Sequence, residues 1–561
     1  MAPRPAGLPR GHFRAAVTVF ATLALVVSAC GTATPSTSQG AGESAAPGSS
    51  GVAATPGVVE PTGELVVAID NIGTQEFTPY LAYSDNQFVT FTLGDWLTIE
   101  EPETGNYVGQ LAESFELSDD GTTWTFKLRP NIPFHDGNGT MTAADWKYTW
   151  SQYIHPEAGF DATQPMQQAI DNDLDNFEIV NDLEFKLHTT QPIVTLASKL
   201  SQAQGGPFLL SKSYYETDPN ANNHPIATGP YKFVSSTQGE EVVFEAVPNH
   251  WRSTPSYKKL TIKYVPDATA RLLGVKSGLY DLAMMNADQT NEANAQGIKI
   301  IDVKETGNGY IVLGGSYYGT DKLDEDSPWI QADAPEKGLA IRQALSLAID
   351  RATIRDRLMF GGGALIHCPL FEFPSNPKMV DPSWELPAYD PDLAKQKLVE
   401  GGYPDGFPIK MTIFDQKGGP ASVATAVADY WTAIGIDVTH DLTSDEAFGP
   451  NIDNRETAGV AWEQIRGYAE PAVNIISVHA SREDAKFVDP LWTEAYEAMQ
   501  LEPDQDTRYQ MARDLCTQTQ KDMRAIPLFT NDQPWAAGAK VGTWDPIPHF
   551  DQGNSYDTVR P

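Results

Sequence analysis

Leu111-Ala112-Glu113-Ser114-Phe115-Glu116-Leu117-Ser118-Asp119-Asp120-Gly121-Thr122-Thr123-Trp124-Thr125-Phe126-Lys127-Leu128-Arg129 is the stretch on which the reading of this chain turns. Asp119-Asp120-Gly121 has turn chemistry: Asp side chains bond nearby backbone, and Gly accepts a left-handed conformation. The residues after it alternate. Trp124, Phe126 and Leu128 share one face, and Thr125 and Lys127 the other, which predicts a half-buried strand.

Working outward, strand and helix signals interleave. Leu65-Val66-Val67-Ala68-Ile69 is a short apolar run that predicts a buried strand, with order beginning at Glu64. Thr142, with Asp145 three residues on, predicts a helix start, and Trp146 and Trp150 follow at helical spacing. Phe177–Val180 and Leu183–Leu187 flank Asn181-Asp182 as a hairpin. Leu339 to Met359 is read as one helix ended by Gly361-Gly362-Gly363. Asp390-Pro391 opens another, closed by Gly401-Gly402. Ala421 to Ile434 is read as helix, Ile436–Thr439 as strand, and Asp506 to Met523 as a last long helix. No internal repeat recurs at a fixed period. The interleaving predicts an α/β or α+β body.

At the N-terminus Arg4, Arg10 and Arg14 precede an apolar stretch from Ala15 to Val27, and Ser28-Ala29 precede Cys30. A basic region, a short apolar core and small residues describe an export signal. The core is too short for a permanent membrane helix. A cysteine at that point resembles the bacterial lipobox, so Cys30 is expected to carry lipid after removal of residues 1–29. Residues 30–62 contain almost no large apolar side chain after the cysteine, which predicts a flexible tether with a reach on the order of 30 Å.

The chain has 561 residues, 41% hydrophobic, with a net charge of −35. Loss of the three signal arginines makes it −38. That balance argues against nucleic-acid binding and against docking on anionic lipid by charge. With Cys30 lipidated, Cys368 and Cys516 remain of three cysteines, either as one disulfide or as two buried thiols.

Compact catalytic signatures are missing. There is no Gly-x-Ser-x-Gly, no phosphate-loop motif and no His-Glu-x-x-His. No two of the ten histidines lie two to five residues apart, which disfavours a locally encoded zinc site. His367-Cys368 is read as a chance pair. The sequence therefore predicts no catalytic residue, no metal and no cofactor, although abundant carboxylates leave an acid/base pair open.

The opening stretch resembles the signature block of the family 5 extracellular solute-binding proteins, receptors of the oligopeptide, dipeptide and nickel type for ABC importers. Phe134-His135-Asp136-Gly137 with Thr142-Ala143-Ala144-Asp145 continues the block. Pro225–Phe233, Pro248-Asn249-His250-Trp251, Asp267-Ala268-Thr269-Ala270-Arg271 with Lys276–Asp281, and Ile341–Arg351 match later blocks in the family's order, from about residue 64 to 530. Most of these residues are read as scaffold. His135 and Asp136 in particular belong to a Gly-containing turn.

The resemblance implies an α/β, bilobal periplasmic-binding-protein-like fold (type II, cluster C) with an extra middle domain. Lobe I is expected from residues 63–97, 227–310 and 525–561, the middle domain from 98–226, and lobe II from 311–524. Hinge strands are expected near Thr306–Val312 and Ala525–Phe529, with the ligand between the lobes.

The family's pocket acid usually follows a tryptophan that Trp462 matches. The aspartate is missing; Ile465 or Gly467 stands there. Glu463 or Glu470 is expected to replace it. Arg466 offers a guanidinium to an anion or forms a surface ion pair, and Tyr468 lies in the same segment. Asn71, Thr74 and Phe77 follow the first strand, Met284 and Asn286 follow the Asp281 strand, and Trp329 and Phe371 are candidates on lobe II, with core packing the commoner role for the aromatics.

The expected function is a lipid-anchored, extracytoplasmic, monomeric binding component that captures a peptide-like or other small polar solute and delivers it to ABC permease subunits, with no reaction. An exported hydrolase and a ligand sensor without transport are the alternatives.

Overall fold

The turn that opens the reading forms as expected. Ser118 Oγ donates to Asp120 Oδ1 at 2.6 Å, Asp120 also accepts from the Thr122 backbone, and Gly121 has φ +73°. The strand that follows buries Trp124, Phe126 and Leu128 and exposes Lys127. The computed structural model describes residues 60–79, 87–101, 104–158, 163–414, 421–443, 450–466, 470–482, 485–549 and 555–561. The export signal, Cys30 and most of the tether lie outside them.

Among the described residues sixteen strands are numbered in chain order. Ten form one mixed sheet in the spatial order β14 (Asp437–Thr443), β13 (Pro408–Phe414), β15 (Val460–Arg466), β12 (Lys299–Leu313), β16 (Ala525–Ala537), β11 (Leu282–Met284), β1 (Glu64–Ile69), β10 (Lys259–Tyr264), β9 (Glu241–Ala246) and β8 (Tyr231–Thr237). A second, antiparallel sheet runs β4 (Ala112–Leu117), β5 (Thr123–Leu128), β7 (Glu184–His188), β6 (Phe177–Asn181). The pair β2 (Thr98–Glu100) and β3 (Tyr107–Gly109) stands apart.

Two halves share the large sheet. One core joins Leu65, Ile262 and Leu282 to Trp124, Phe126, Trp146 and Trp150, so the four-stranded sheet packs into the same apolar mass as β1. Truncating either fully buried tryptophan of the helix Ala143–Tyr153 is expected to cost about 3–5 kcal/mol. The other half builds a layer on each face of β12. Ile311 and Leu313 pack with Ile341 and Trp431, and Tyr310 and Val312 pack with Phe371 and Trp492. Among the described residues, β12 and β16 are the strands that enter both halves. On β16, Ile526, Leu528 and Phe529 belong to the second core and Trp535 to the first, so the crossing lies beyond the boundary expected at 525.

Two helix expectations are corrected. The run Leu339–Met359 is two helices, Pro335–Leu347 and Arg351–Leu358. The first ends at Leu347 with Ala348 as its cap, Asp350 caps the second, accepting from Thr353 N at 3.0 Å, and the buried Arg351 spans the break to Ser346 O and Pro527 O. A side chain that caps competes with helix continuation, and apolar spacing does not register it. The last long helix is Gln505–Thr519 and stops before Met523, which has φ +49°. The alternatives for the cysteines resolve as well: Cys368 and Cys516 are bonded, with Cα atoms 5.8 Å apart.

Candidate functional site

Strand polarity locates a crevice. β1 is parallel to β10 and β11, and β11 pairs with β16 so that Met284 lies opposite Trp535. The carboxyl ends of these strands therefore point along β16 toward Asn531. In the other half β13 is parallel to β14 and β15, and Arg466 ends β15 opposite Gly307, itself opposite Asn531. Both parallel sets thus end at the level where the shared strands cross. Ligands of open α/β sheets bind outside the carboxyl ends of the strands.

On the first half, Arg271 fixes the floor. It follows the helix cap Asp267 and is buried. Its Nε donates to Met284 O at 2.6 Å and its Nη1 to Val265 O at 2.8 Å and Pro266 O at 3.0 Å, which gathers the ends of β10 and β11. Burial pulls its pKa down from the usual range. Asn71 is exposed and accepts from Gly73 N at 2.8 Å. Thr74 lies in the same loop, where its carbonyl accepts from Gln238 Nε2 at 3.0 Å. Phe77 packs edge-on against Phe233 with centroids 5.3 Å apart. Gln75, not anticipated, holds φ +54° and staples this loop to the β8–β9 hairpin, donating to Ser236 Oγ at 2.7 Å and accepting from Gly239 N at 2.6 Å. Met284 is buried, whereas Asn286 is exposed and begins a capped turn with Gln289.

On the second half, β15 places Trp462 opposite Ile311, Glu463 opposite Tyr310 and Arg466 opposite Gly307. Tyr468, and the side chains of Trp462, Glu463 and Arg466, lie outside the described atoms. Glu470 has a different role from the expected ligand acid. It is fully buried, its carboxylate accepts from Arg508 Nε at 2.9 Å and Nη2 at 2.6 Å, and it caps Pro471–Asn474. The buried guanidinium neutralises this carboxylate, so it has no free negative charge to offer an amine. Trp329 and Phe371 are core residues; the Trp329 indole donates to Gly314 O at 2.9 Å.

The crossing carries its own polar frame. β12 is irregular between Val303 and Gly307, and Glu305 there has φ +54°. Its N–H donates to Asp532 Oδ1 at 2.9 Å, and its carboxylate accepts from Ser375 N at 2.8 Å. Burial, helped by the nearby carboxylates Asp532 and Glu372, raises the Glu305 pKa. The His549 ring, pushed down to about 4 by burial, lies 3.2 Å from Glu305 O. Asn308 is buried and bonds Glu372 O and Leu370 N, tying β12 to the loop that holds Cys368.

A cavity of about 250 Å³ lies beside Cys368, lined in part by His367, Phe487, Trp492 and Arg524. Its lining belongs to the second half alone. Among the described residues no group of three or more His, Cys, Asp or Glu could hold a metal ion, and no helix is long and apolar enough to cross a membrane.

Comparison with known proteins agrees with this geometry. Residues 106–484 match the model of the bacterial extracellular solute-binding proteins, family 5. The chain is 27% identical over 350 residues to heme-binding protein A of Haemophilus influenzae, covering 58% of this chain and 60% of that protein. It is 25% identical over 355 residues to the oligopeptide-binding protein AppA of Bacillus subtilis, with coverage of 58% and 60%. These matches span less than two thirds of either relative. The structure of HbpA2 from Haemophilus parasuis superposes with a TM-score of 0.72 at 18% identity, covering 89% of this chain and 99% of that one. The chain belongs to the bacterial extracellular solute-binding proteins, family 5.

Proposed function

We propose that this protein is the substrate-binding component of an ABC importer, capturing a peptide-like or other small polar solute in the crevice and passing it to permease subunits. The observation that carries the reading is the convergence of both sets of strand ends on one level, crossed by two strands among the described residues. Such a connection lets two lobes close on a guest. The name of the oligopeptide-binding relative supports a peptide-like ligand. The loss of the family's pocket aspartate makes the amine partner a different group; with Glu470 committed to Arg508, Glu463 is the remaining carboxylate of that segment, and Trp462, Arg466, Tyr468, Asn71, Phe77 and Asn286 are the other contacts.

In this reading lobe I comprises 63–97, 227–310 and the chain beyond the crossing on β16, with 98–226 inserted and lobe II running from 311 to that crossing. Cys30 carries the lipid that holds the protein outside the membrane. Isothermal titration of the protein with defined di-, tri- and pentapeptides tests the ligand class. Binding is expected, with at least about tenfold weaker affinity after Arg466→Ala or Trp462→Ala, a loss of about 1.4 kcal/mol. Absence of heat with every peptide contradicts it. Cys30→Ser is expected to release the protein from cell membranes into the soluble fraction.

A further inference from the structure

The two halves meet at a second place besides the shared strands. The turn between β2 and β3 belongs to the first half, because Tyr107 packs on its core. It meets the segment 376–378 and the start of the helix Gln505–Thr519, where Met379 and Tyr509 share an apolar cluster of the second half. Gly105 O accepts from Gln505 Nε2 at 2.9 Å and from Tyr509 OH at 3.4 Å. Asn106 Oδ1 accepts from Lys378 Nζ at 3.1 Å. Further along, Thr195 Oγ1 donates to Gln500 Oε1 at 3.3 Å.

The fit is tight where it matters. Gly105 has φ +68°, and a Cβ built on it would stand 2.4 Å from Asn376 Nδ2 and 2.9 Å from Tyr509 OH. A side chain there therefore opposes contact between the halves as well as straining the turn. Lys378 and Tyr509 are held for their task. Lys378 lies 2.6 Å from Asp506 and 5.5 Å from the Tyr509 ring centroid, and Tyr509 OH accepts from Asn376 Nδ2 at 3.0 Å. The seam runs beside Glu470, which follows β15 at the crevice. Lys199, from the first half, is pulled down to about 8 by burial, against the attraction of Glu470.

The bonds have a counterweight. Gln500 Nε2 is buried at this seam without a hydrogen-bond partner. It gives up water without replacement, which offsets part of what the bonds contribute. Three of the seam bonds are only partly buried, which suits a contact that closes and reopens.

We infer that this seam is a latch by which the inserted domain locks lobe II in the shut position, with Gly105, Lys378, Gln505 and Tyr509 as positioning residues of the clamp. They touch no ligand; they set how long the crevice stays closed. The inserted domain thereby gains a role that the shared strands do not fill. The inference concerns closure and holds for any guest.

The test uses ligand-free full-length protein. Small-angle scattering gives the radius of gyration, and hydrogen exchange read by mass spectrometry follows the segments 104–110 and 500–509. Two variants are compared with wild type: the double substitution Lys378→Ala with Gln505→Ala, and Gly105→Arg. Loss of one net hydrogen bond shifts an open–closed equilibrium by about tenfold. Both variants are expected to expand, and both seam segments to exchange about tenfold faster, while exchange within Thr123–Leu128 and Ala421–Ala433 stays at the wild-type rate. If Gly105→Arg does not fold, the double variant decides, since it only truncates two half-buried side chains. Unchanged scattering and exchange in the double variant overturn the inference. So does a wild-type protein that is already expanded, with both seam segments unprotected.

Discussion

Glu470 and Arg508 show how residue type alone misleads. The sequence offers a glutamate near a tryptophan where the family keeps a pocket acid, and nothing local marks the arginine 38 positions later that claims it. Glu470→Ala strands a buried guanidinium, so chemical denaturation is expected to report a loss of about 3–5 kcal/mol. A change below about 1 kcal/mol contradicts the assigned pairing. His135 illustrates the converse, since its scaffold role was legible from its place in a Gly-containing turn. Its Nδ1 accepts from Ala227 N at 3.2 Å and its Nε2 donates to Gly229 O at 2.9 Å, which fixes a neutral ring and joins two of the blocks that identify the family. Burial pushes both His135 and His549 from 6.5 down to about 4. Below pH 6.5 the unfolded state binds protons that these folded rings refuse, so their contribution is complete above pH 6.5 and is lost as pH falls toward 4. Each is expected to cost about 2 kcal/mol of stability at pH 5 relative to pH 7.5. Urea unfolding at the two pH values checks this, with a shallower fall expected for His135→Gln; an equal fall in that variant contradicts the assignment.

Elements were legible where period and caps agree. Asp390-Pro391 through Glu400, the Thr142 capping box and the hairpin β6–β7 lie where side-chain chemistry puts them. The run from Leu339 misled because its apolar spacing continues through a break made by one capping aspartate. Arg271 was visible as part of a block, but its work of gathering strand ends depends on a fold in which residues 265 and 284 are neighbours. Arg271→Met leaves those carbonyls without their donor. A loss of about 2–4 kcal/mol is expected in denaturation, together with weaker ligand binding, because the crevice floor is what comes loose. Retained stability sinks that role. The Cys368–Cys516 bond closes a loop of 148 residues and ties the loop around Glu372 to the helix of Arg508. In the chain-entropy account a loop of that length contributes about 5 kcal/mol, so reduction under native conditions is expected to lower the urea midpoint; an unmoved midpoint contradicts it.

At the scale of the molecule, the bilobal plan was legible because several blocks recur in one order along the chain, and each is a turn or strand needed by the scaffold. The crevice position follows from strand direction and needs no ligand to be recognised. The guest was not legible, because the chain departs from its family in the segment 462–468, where the pocket acid is expected. The seam was also hidden, since Gly105 and Gln505 are far apart in sequence and neither belongs to a motif. The central claim is a clamp that holds an intact solute between its halves. Native mass spectrometry of the full chain with a defined mixture of peptides from two to nine residues tests it most directly. One peptide per chain, at its unaltered mass and absent from Arg466→Ala, is the result predicted; no retained peptide of any length, or peptides returned as cleaved fragments, would contradict it.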